Sequence, residues 1–171
     1  MTPHVIQRVA VYTGSFDPIT LGHLSVIERS CQLFDRVIVG VGINVEKQGL
    51  FSPEERADLI RAATKHLSNL DVRTFTGLAV AFVRQCGSRI MIRGVRPLTD
   101  IAAEFTMMMA NRQLDPTIET VFLMADEEYT HVSSTLIKQI APLATDEMLA
   151  RFVPREIIPA LRNKLIPQAS T

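Results

Sequence analysis

The stretch Val9-Ala-Val-Tyr-Thr-Gly-Ser-Phe-Asp-Pro-Ile-Thr-Leu-Gly-His23 decides how this chain is read. Val9 to Thr13 is apolar and β-prone, Gly14-Ser15 and Asp17-Pro18 form turns, and Thr20 to His23 opens a helical pattern. The segment is therefore a strand that feeds a helix through a loop. A helix start presents unpaired N–H groups and the positive end of the helix dipole, both suited to phosphate oxygens. Gly14 lets backbone approach a ligand closely, and Ser15 adds a hydroxyl. Thr20 and His23, three apart, share a face in a first turn, while Gly22 removes a side chain that would block a flat base. A Gly-His pair recurs readily by chance, and a turn glycine beside a partly buried histidine is the bland alternative, so the functional reading needs support from the rest of the chain.

Working outward, Leu21 to Phe34 carries apolar Leu24, Ile27 and Cys31 at helical spacing, and Arg36 to Val41 is a near-continuous Val/Ile run, as in a parallel strand covered on both faces. Gly40-x-Gly42 lacks the third glycine of a dinucleotide loop, since Val45 stands in its place, and an NAD site is discounted. Ile43 to Phe51 is polar and glycine-containing, a mobile loop carrying Lys47 across the carboxyl edge of the sheet. Ser52-Pro-Glu-Glu55 combines a capping serine, proline at the first helical position and glutamate three residues on, which starts a helix running to about His66. Leu70 to Phe75 is the third strand, Gly77 to Gln85 a short helix, and Arg89 to Ile92 a fourth strand ending at Arg93-Gly-Val-Arg96. A helix from about Thr99 to Arg112 places Ile101, Phe105, Met108 and Met109 on its apolar side. Met107-Met108-Met109 cannot all face one core, which leaves one for a neighbouring subunit or for ordinary packing. Ile118 to Met124 is the fifth strand. The acidic Asp126-Glu-Glu128 reads as a solvated loop leading through Tyr129-Thr-His131 to Ser133-Ser-Thr135 and another helix. Thr145 to Leu165 is helical with interruptions at Pro154 and Pro159, and residues 166–171 fray.

Strands and helices alternate without a linker or repeat, which predicts one doubly wound, Rossmann-like α/β domain over residues 1–171: a five-stranded parallel sheet with helices on both faces and right-handed crossovers. Ligands of such sheets lie beyond the carboxyl strand ends where strand order reverses. A reversal between the first and fourth strands would bring Ser15, His23, Arg93 and Arg96 to one crevice. The 18 basic and 18 acidic residues cancel, so no net field recruits nucleic acid or an anionic membrane, and the expected ligand is small. Only Cys31 and Cys86 are present, each placed in a predicted helix, and Met1-Thr-Pro-His-Val has no basic-then-apolar leader pattern, so the expected compartment is the reducing cytoplasm. No apolar run is long enough to span a bilayer.

Two further groups point to phosphate chemistry. Arg93 and Arg96 offer guanidinium groups around a flexible glycine at a strand end, against the bland reading of solvated loop charges. Ser133-Ser134-Thr135 stacks hydroxyls at a helix start, where capping explains at least one of them. Asp17 before Pro18 reads as turn chemistry first and a metal contact second. His4 and His66 have no partner pattern.

These pieces resemble the nucleotidylyltransferase superfamily and, within it, the phosphopantetheine adenylyltransferases, over nearly the whole chain. The resemblance rests on Gly14-Ser-Phe-Asp-Pro18, Thr20-Leu-Gly-His23, Lys47, Phe51-x-x-Glu-Glu-Arg56, Arg93-Gly-Val-Arg96, Asp100, Glu104, Asn111-Arg112, Val121-Phe-Leu-Met124 and Tyr129-Thr-His-Val-Ser-Ser-Thr135, in that order and spacing. It implies transfer of AMP from ATP to 4′-phosphopantetheine, giving 3′-dephospho-coenzyme A and pyrophosphate, with Mg²⁺ held mainly by the ATP phosphates, feedback by coenzyme A, and a homohexamer. By matching position it implies that His23, Lys47 and Arg93 are catalytic. Ser15, Lys47, Ala79 and Arg93 would bind the acceptor. Ser15, Phe16, His23, Gly94, Val95, Arg96, Glu104, Tyr129, Thr130, His131, Val132, Ser133, Ser134 and Thr135 would bind ATP, and no protein residue is assigned as a metal ligand. Leu21, His131, Thr135 and Val45-Glu46 depart from the usual pattern, which touches loop detail and affinity more than reaction type. A superfamily member using nicotinamide mononucleotide, or a cytidylyltransferase, is disfavoured by Lys47, Arg93 and Ser133-Ser-Thr135. A non-catalytic nucleotide or coenzyme A sensor is disfavoured by His23, Lys47 and Arg93 occurring together.

Overall fold

A computed structural model of the chain describes residues 7–43, 48–96 and 100–165. Five strands, β1 (Val9–Gly14), β2 (Arg36–Ile43), β3 (Leu70–Thr76), β4 (Ile90–Val95) and β5 (Glu119–Met124), form one parallel sheet in the order β3-β2-β1-β4-β5. The chain winds outward from β1 to β3, then returns to place β4 on the other side of β1, with Val11 opposite Met91 and Tyr12 opposite Ile92. The reversal falls between β1 and β4, the arrangement under which Ser15, His23, Arg93 and Arg96 converge, and the gap above their carboxyl ends is where a ligand can enter.

Alternation along β1 shows why the sheet is covered on both faces. Ala10 and Tyr12 enter one core, with Ile27 of α1 (Leu21–Leu33), Ile60 of α2 (Pro53–Ala63), Ile137 of α5 (Ser134–Ile140), Leu149 of α6 (Asp146–Leu149) and Leu161 of α7 (Ile158–Leu165). Val11 enters a smaller one with Ile38, Met91 and Val80, Phe82 and Val83 of α3 (Ala79–Gln85). Gly40 lies inside β2 because the Phe82 ring occupies the space its Cβ would need, and Phe82 stacks on Phe75 at 4.3 Å. Its role is packing, which agrees with discounting a dinucleotide loop.

Local signals in the sequence set several ends. Ser52 accepts from the Glu55 amide at 3.1 Å while Glu55 accepts from the Ser52 amide at 2.7 Å, a full capping box with Pro53 at the first position. The helix stops at Ala63 and leaves His66 outside it, where its Nε2 pairs with Glu28 at 2.8 Å. Gly77, at φ +81°, turns the chain between β3 and α3, and Cys86 caps α3 at its carboxyl end. Pro159 lies in the first turn of α7 and does not interrupt it.

Three expectations are corrected. In α1 the buried positions are Gly22, Ser25, Val26, Ile27 and Ser30, with Leu24 and Cys31 at the flank. Small residues face the sheet there, and Ser30 satisfies its hydroxyl on the Val26 carbonyl at 2.6 Å. In α4 (Ile101–Leu114) the expected apolar face is not a core face: Ile101, Phe105 and Met109 are about half exposed, at 55%, 54% and 47%. The helix turns Glu104, Met108 and Asn111 inward, and only Asn111 is buried. Asp126-Glu-Glu128 is partly anchored, because Asp126 accepts from Ser25 Oγ at 2.9 Å and faces Arg29, and residues Glu127–Tyr129 form a 3-10 turn.

Candidate active site

The crevice opens above the carboxyl ends of β1 and β4 and encloses about 280 Å³. β1 delivers Gly14, Ser15 and Phe16; the first turn of α1 delivers Thr20, Gly22 and His23; β4 delivers Arg93, Gly94, Val95 and then Arg96. Glu104 of α4 forms one wall, and Tyr129, Val132, Ser133, Ser134 and Thr135 form another. Thirteen of the residues assigned by resemblance therefore share one cavity. Thr130, His131 and Ala79 are not among its lining residues: His131 is exposed with its ring edge-on to Phe152, and Ala79 opens α3 at the β3 side of the sheet. Lys47, with the Val45-Glu46 departure, lies outside the described residues.

His23 is held by its own helix cap. Thr20 accepts from the His23 amide at 3.3 Å, and His23 Nδ1 accepts from the Thr20 amide at 3.1 Å, so the imidazole replaces the usual glutamate of a capping box. Burial, reinforced by the nearby Arg96 and Arg93 charges, lowers the His23 pKa to about 4. The ring is thus neutral at pH 7. With Nδ1 accepting, its proton resides on Nε2, which makes His23 an N–H donor without a net charge. Phe16, at φ +48° and 1% exposed, packs its ring edge against the imidazole at 5.1 Å. Gly14 is needed because a Cβ there would lie 2.9 Å from the Phe16 ring. The close approach foreseen at Gly14 is thus made by a side chain of the same loop.

Arg93 is more constrained than a loop charge. It projects from within β4, where Nε and Nη2 donate to Glu104 at 2.7 and 2.6 Å and Nη1 donates to the Thr13 carbonyl at 2.7 Å. Burial opposes the charge, but the Glu104 carboxylate outweighs it and raises the Arg93 pKa. Arg96 is gripped the same way by Asp100, at 2.7 and 2.8 Å. The bidentate geometry orients both guanidinium planes and leaves N–H capacity on each. Gly94 is not the flexible hinge expected between them. It is a strand residue whose Cβ would lie 2.6 Å from the Tyr12 hydroxyl, and Tyr12 is buried, which raises its pKa and keeps the phenol protonated.

The α5 start divides its hydroxyls between tasks. Ser133 caps the helix by accepting from the Leu136 amide at 3.1 Å, and Ser134 donates to the Pro18 carbonyl at 2.8 Å, while Thr135 is exposed. Two residues already named in the sequence, Arg56 and Asp17, have supporting roles that the sequence reading did not assign. Arg56, 7% exposed, donates from Nη1 to the Ser15 carbonyl at 2.8 Å and so holds the loop from behind. Asp17 is no free turn carboxylate: it receives Lys138 Nζ at 2.6 Å and the Leu50 and Phe51 amides at 2.9 Å each. The sequence signal for Arg56 was its helical phase, facing inward from α2; for Asp17, 121 residues from Lys138, there was none.

Among the described residues no group of three or more His, Cys, Asp or Glu could hold a metal ion. The described crevice carboxylates Glu104 and Asp100 are committed to Arg93 and Arg96, a donor set that does not suit a resident metal. No helix of the described residues is long and apolar enough to cross a membrane.

Comparisons with known proteins agree with this geometry. The cytidylyltransferase-like family matches residues 11–140. A phosphopantetheine adenylyltransferase of Rhodopirellula baltica is 65% identical over 160 residues, covering 93% of this chain and 89% of that protein. One from Clostridium botulinum is 46% identical over 152 residues, covering 89% and 94%. Among solved structures, a nicotinic acid mononucleotide adenylyltransferase of Plasmodium falciparum superposes with a TM-score of 0.67 at 12% identity, over 90% of this chain and 94% of that one. A bifunctional enzyme of Francisella tularensis, NMN adenylyltransferase and ADP-ribose pyrophosphatase, gives 0.66 at 11%, over 92% and 50%. At that identity the solved structures establish the shared fold, whereas the sequence relatives carry the narrower assignment. A crevice at the β1/β4 reversal with a capped neutral histidine and two oriented arginines, in a sequence this close to those relatives, places the chain in the phosphopantetheine adenylyltransferase family.

Proposed function

We propose that the crevice performs the reaction of its family, transfer of the adenylyl group of ATP to 4′-phosphopantetheine, giving 3′-dephospho-coenzyme A and pyrophosphate. The observation that carries this reading is the convergence of Ser15, His23, Arg93 and Arg96 at the strand reversal. An oxygen of the acceptor phosphate attacks the α-phosphorus of ATP, a new P–O bond forms, and the α–β bridge breaks to release pyrophosphate. The acceptor phosphate is already a competent nucleophile, so the task is alignment and neutralisation of charge growing on the α-phosphate oxygens.

In this reading His23 Nε2–H donates to an α-phosphate oxygen. A neutral donor suits the position, because two guanidinium groups already supply the positive field. Arg96, with Ser133, Ser134 and Thr135, takes the β- and γ-phosphates, and Gly22 and Tyr129 flank the nucleoside. Arg93 and Lys47 hold the acceptor phosphate, Ser15 touches both substrates, and the pantetheine arm leaves toward Ala79. Glu104 acts by orienting Arg93, a role its bidentate bonds support. Mg²⁺ accompanies ATP as MgATP and supplies further charge neutralisation. The exposed apolar side of α4 supports self-association, for which the family resemblance suggests a hexamer, with coenzyme A as feedback ligand and the cytoplasm as compartment.

The test is pyrophosphate release from MgATP with phosphopantetheine and, separately, with nicotinamide mononucleotide. Release with the first alone is expected. Release only with the second would assign the chain to another acceptor, and release with neither would make it a sensor. Light scattering tests the assembly, and a monomer at all concentrations would refute the hexamer.

A further inference from the structure

The Gly14–Pro18 loop is fastened to α5 by two bonds from one helix face. Ser134 and Lys138 are four apart, so both side chains leave the same side of the helix. Ser134 Oγ reaches the Pro18 carbonyl at 2.8 Å, and Lys138 Nζ reaches Asp17 Oδ2 at 2.6 Å. The Asp17 side chain is 9% exposed and that of Lys138 37%, so this pair is only partly screened by solvent. Asp17 also receives the Leu50 and Phe51 amides, which anchors the chain entering α2 to the same carboxylate. Burial disfavours the Asp17 charge, but the Lys138 ammonium and the two amides outweigh it and hold the carboxyl below its ordinary pKa. Neither Asp17 nor Lys138 lines the crevice, and each spends its charge on the other.

We propose that Asp17 and Lys138 are positioning residues for the nucleotide: their ion pair sets the spacing between the Ser15–His23 side of the crevice and the Ser133–Thr135 side. One triphosphate must reach donors on both walls, and these walls are separated by more than one hundred residues of chain. Without the pair, Ser134–Pro18 would be the remaining side-chain hydrogen bond between this loop and α5, and the helix, still seated by Ile137 in the core, could shift its polar end relative to the loop. A charged pair fixes direction as well as distance, which an apolar contact at the same place would not. The inference rests on the reading of Ser133–Thr135 as nucleotide-side residues given above.

The test uses the intact chain and both substrates. Lys138→Met should raise the KM for ATP about tenfold, equivalent to about 1.4 kcal/mol of binding, with kcat and the KM for phosphopantetheine changing less than about threefold. Lys138→Arg should restore most of the loss. Asp17→Asn should raise the ATP KM comparably, and the double variant should be no worse than either single one. Lys138→Gln serves the same purpose if the methionine variant folds poorly. Arg96→Met, run in parallel by calorimetry with ATP, separates failure of the site from failure of the positioning role. If it keeps wild-type ATP affinity, the site reading fails. If it loses affinity while folded Lys138→Met and Lys138→Gln do not, the positioning role alone is overturned. Equal rises in both KM values, or additive effects in the double variant, would also overturn it, since they would describe general loosening.

Discussion

The protonation state of His23 offers the sharpest test of the site. Its folded pKa is about 4 against an ordinary 6.5, so the unfolded chain binds this proton more tightly than the folded one. The sign follows: a depressed histidine leaves stability intact above pH 6.5 and removes it as the pH falls toward 4. Each pKa unit is worth about 1.4 kcal/mol, so the full penalty is about 3 kcal/mol below pH 4. At pH 5.5 about 1.4 kcal/mol has already been lost. Urea unfolding of wild type and His23→Gln at pH 8, 6.5 and 5.5, at fixed protein concentration, isolates this share, because carboxylates titrate alike in both. Wild type should lose about 1.4 kcal/mol more than the variant between pH 8 and 5.5. In catalysis the same neutrality predicts no inflection near pH 6.5 attributable to His23. Parallel pH dependence of the two proteins in urea, or a kcat inflection near 6.5 that vanishes in His23→Gln, would refute a neutral, cap-bound imidazole.

Other perturbations reach separate parts of the site. His23→Ala should cost roughly 10²- to 10³-fold in kcat, the usual effect of removing one transition-state donor; unchanged turnover in a folded variant would remove His23 from that role. Arg56→Met should destabilise by about 2 to 4 kcal/mol in urea unfolding, because the Ser15, Gly42 and Ser52 carbonyls lose their donor together. Gly94→Ala should cost about 1 to 3 kcal/mol through contact with the Tyr12 hydroxyl, and Tyr12→Phe in the same chain should recover much of it; no recovery would locate the strain elsewhere. Glu104→Gln should raise the KM for phosphopantetheine more than that for ATP in steady-state assays, since Arg93 loses its orienting carboxylate while Arg96 keeps Asp100. Phe105→Glu, placing charge on the exposed side of α4, should lower the assembly state seen by light scattering.

Much of the fold was legible because its signals are local. The Val/Ile density of β2 announces a strand covered on both faces, and Ser52-Pro53-Glu54-Glu55 announces a helix start, since caps and turns are satisfied within a few residues. The strand-loop-helix from Val9 to His23 placed the crevice once β4 was assigned beside β1. Tertiary context decided what those signals leave open. The α4 stripe of Ile101, Phe105 and Met109 has the same periodicity whether it meets a core or remains exposed, and only the position of the sheet shows that Glu104 and Asn111 face inward. Gly94 looked like a hinge because its sequence carries no trace of the Tyr12 hydroxyl, 82 positions away. Likewise Arg93 and Arg96 looked like open phosphate clamps, whereas the fold commits Arg93 to Glu104 of α4 and Arg96 to Asp100 at the start of that helix, and so orients both. The sequence by itself determined the chemistry available, through residue types held at short spacing. Which of those groups are charged, paired or free to meet a phosphate is a matter of long-range contact and burial, and only the tertiary structure decided it.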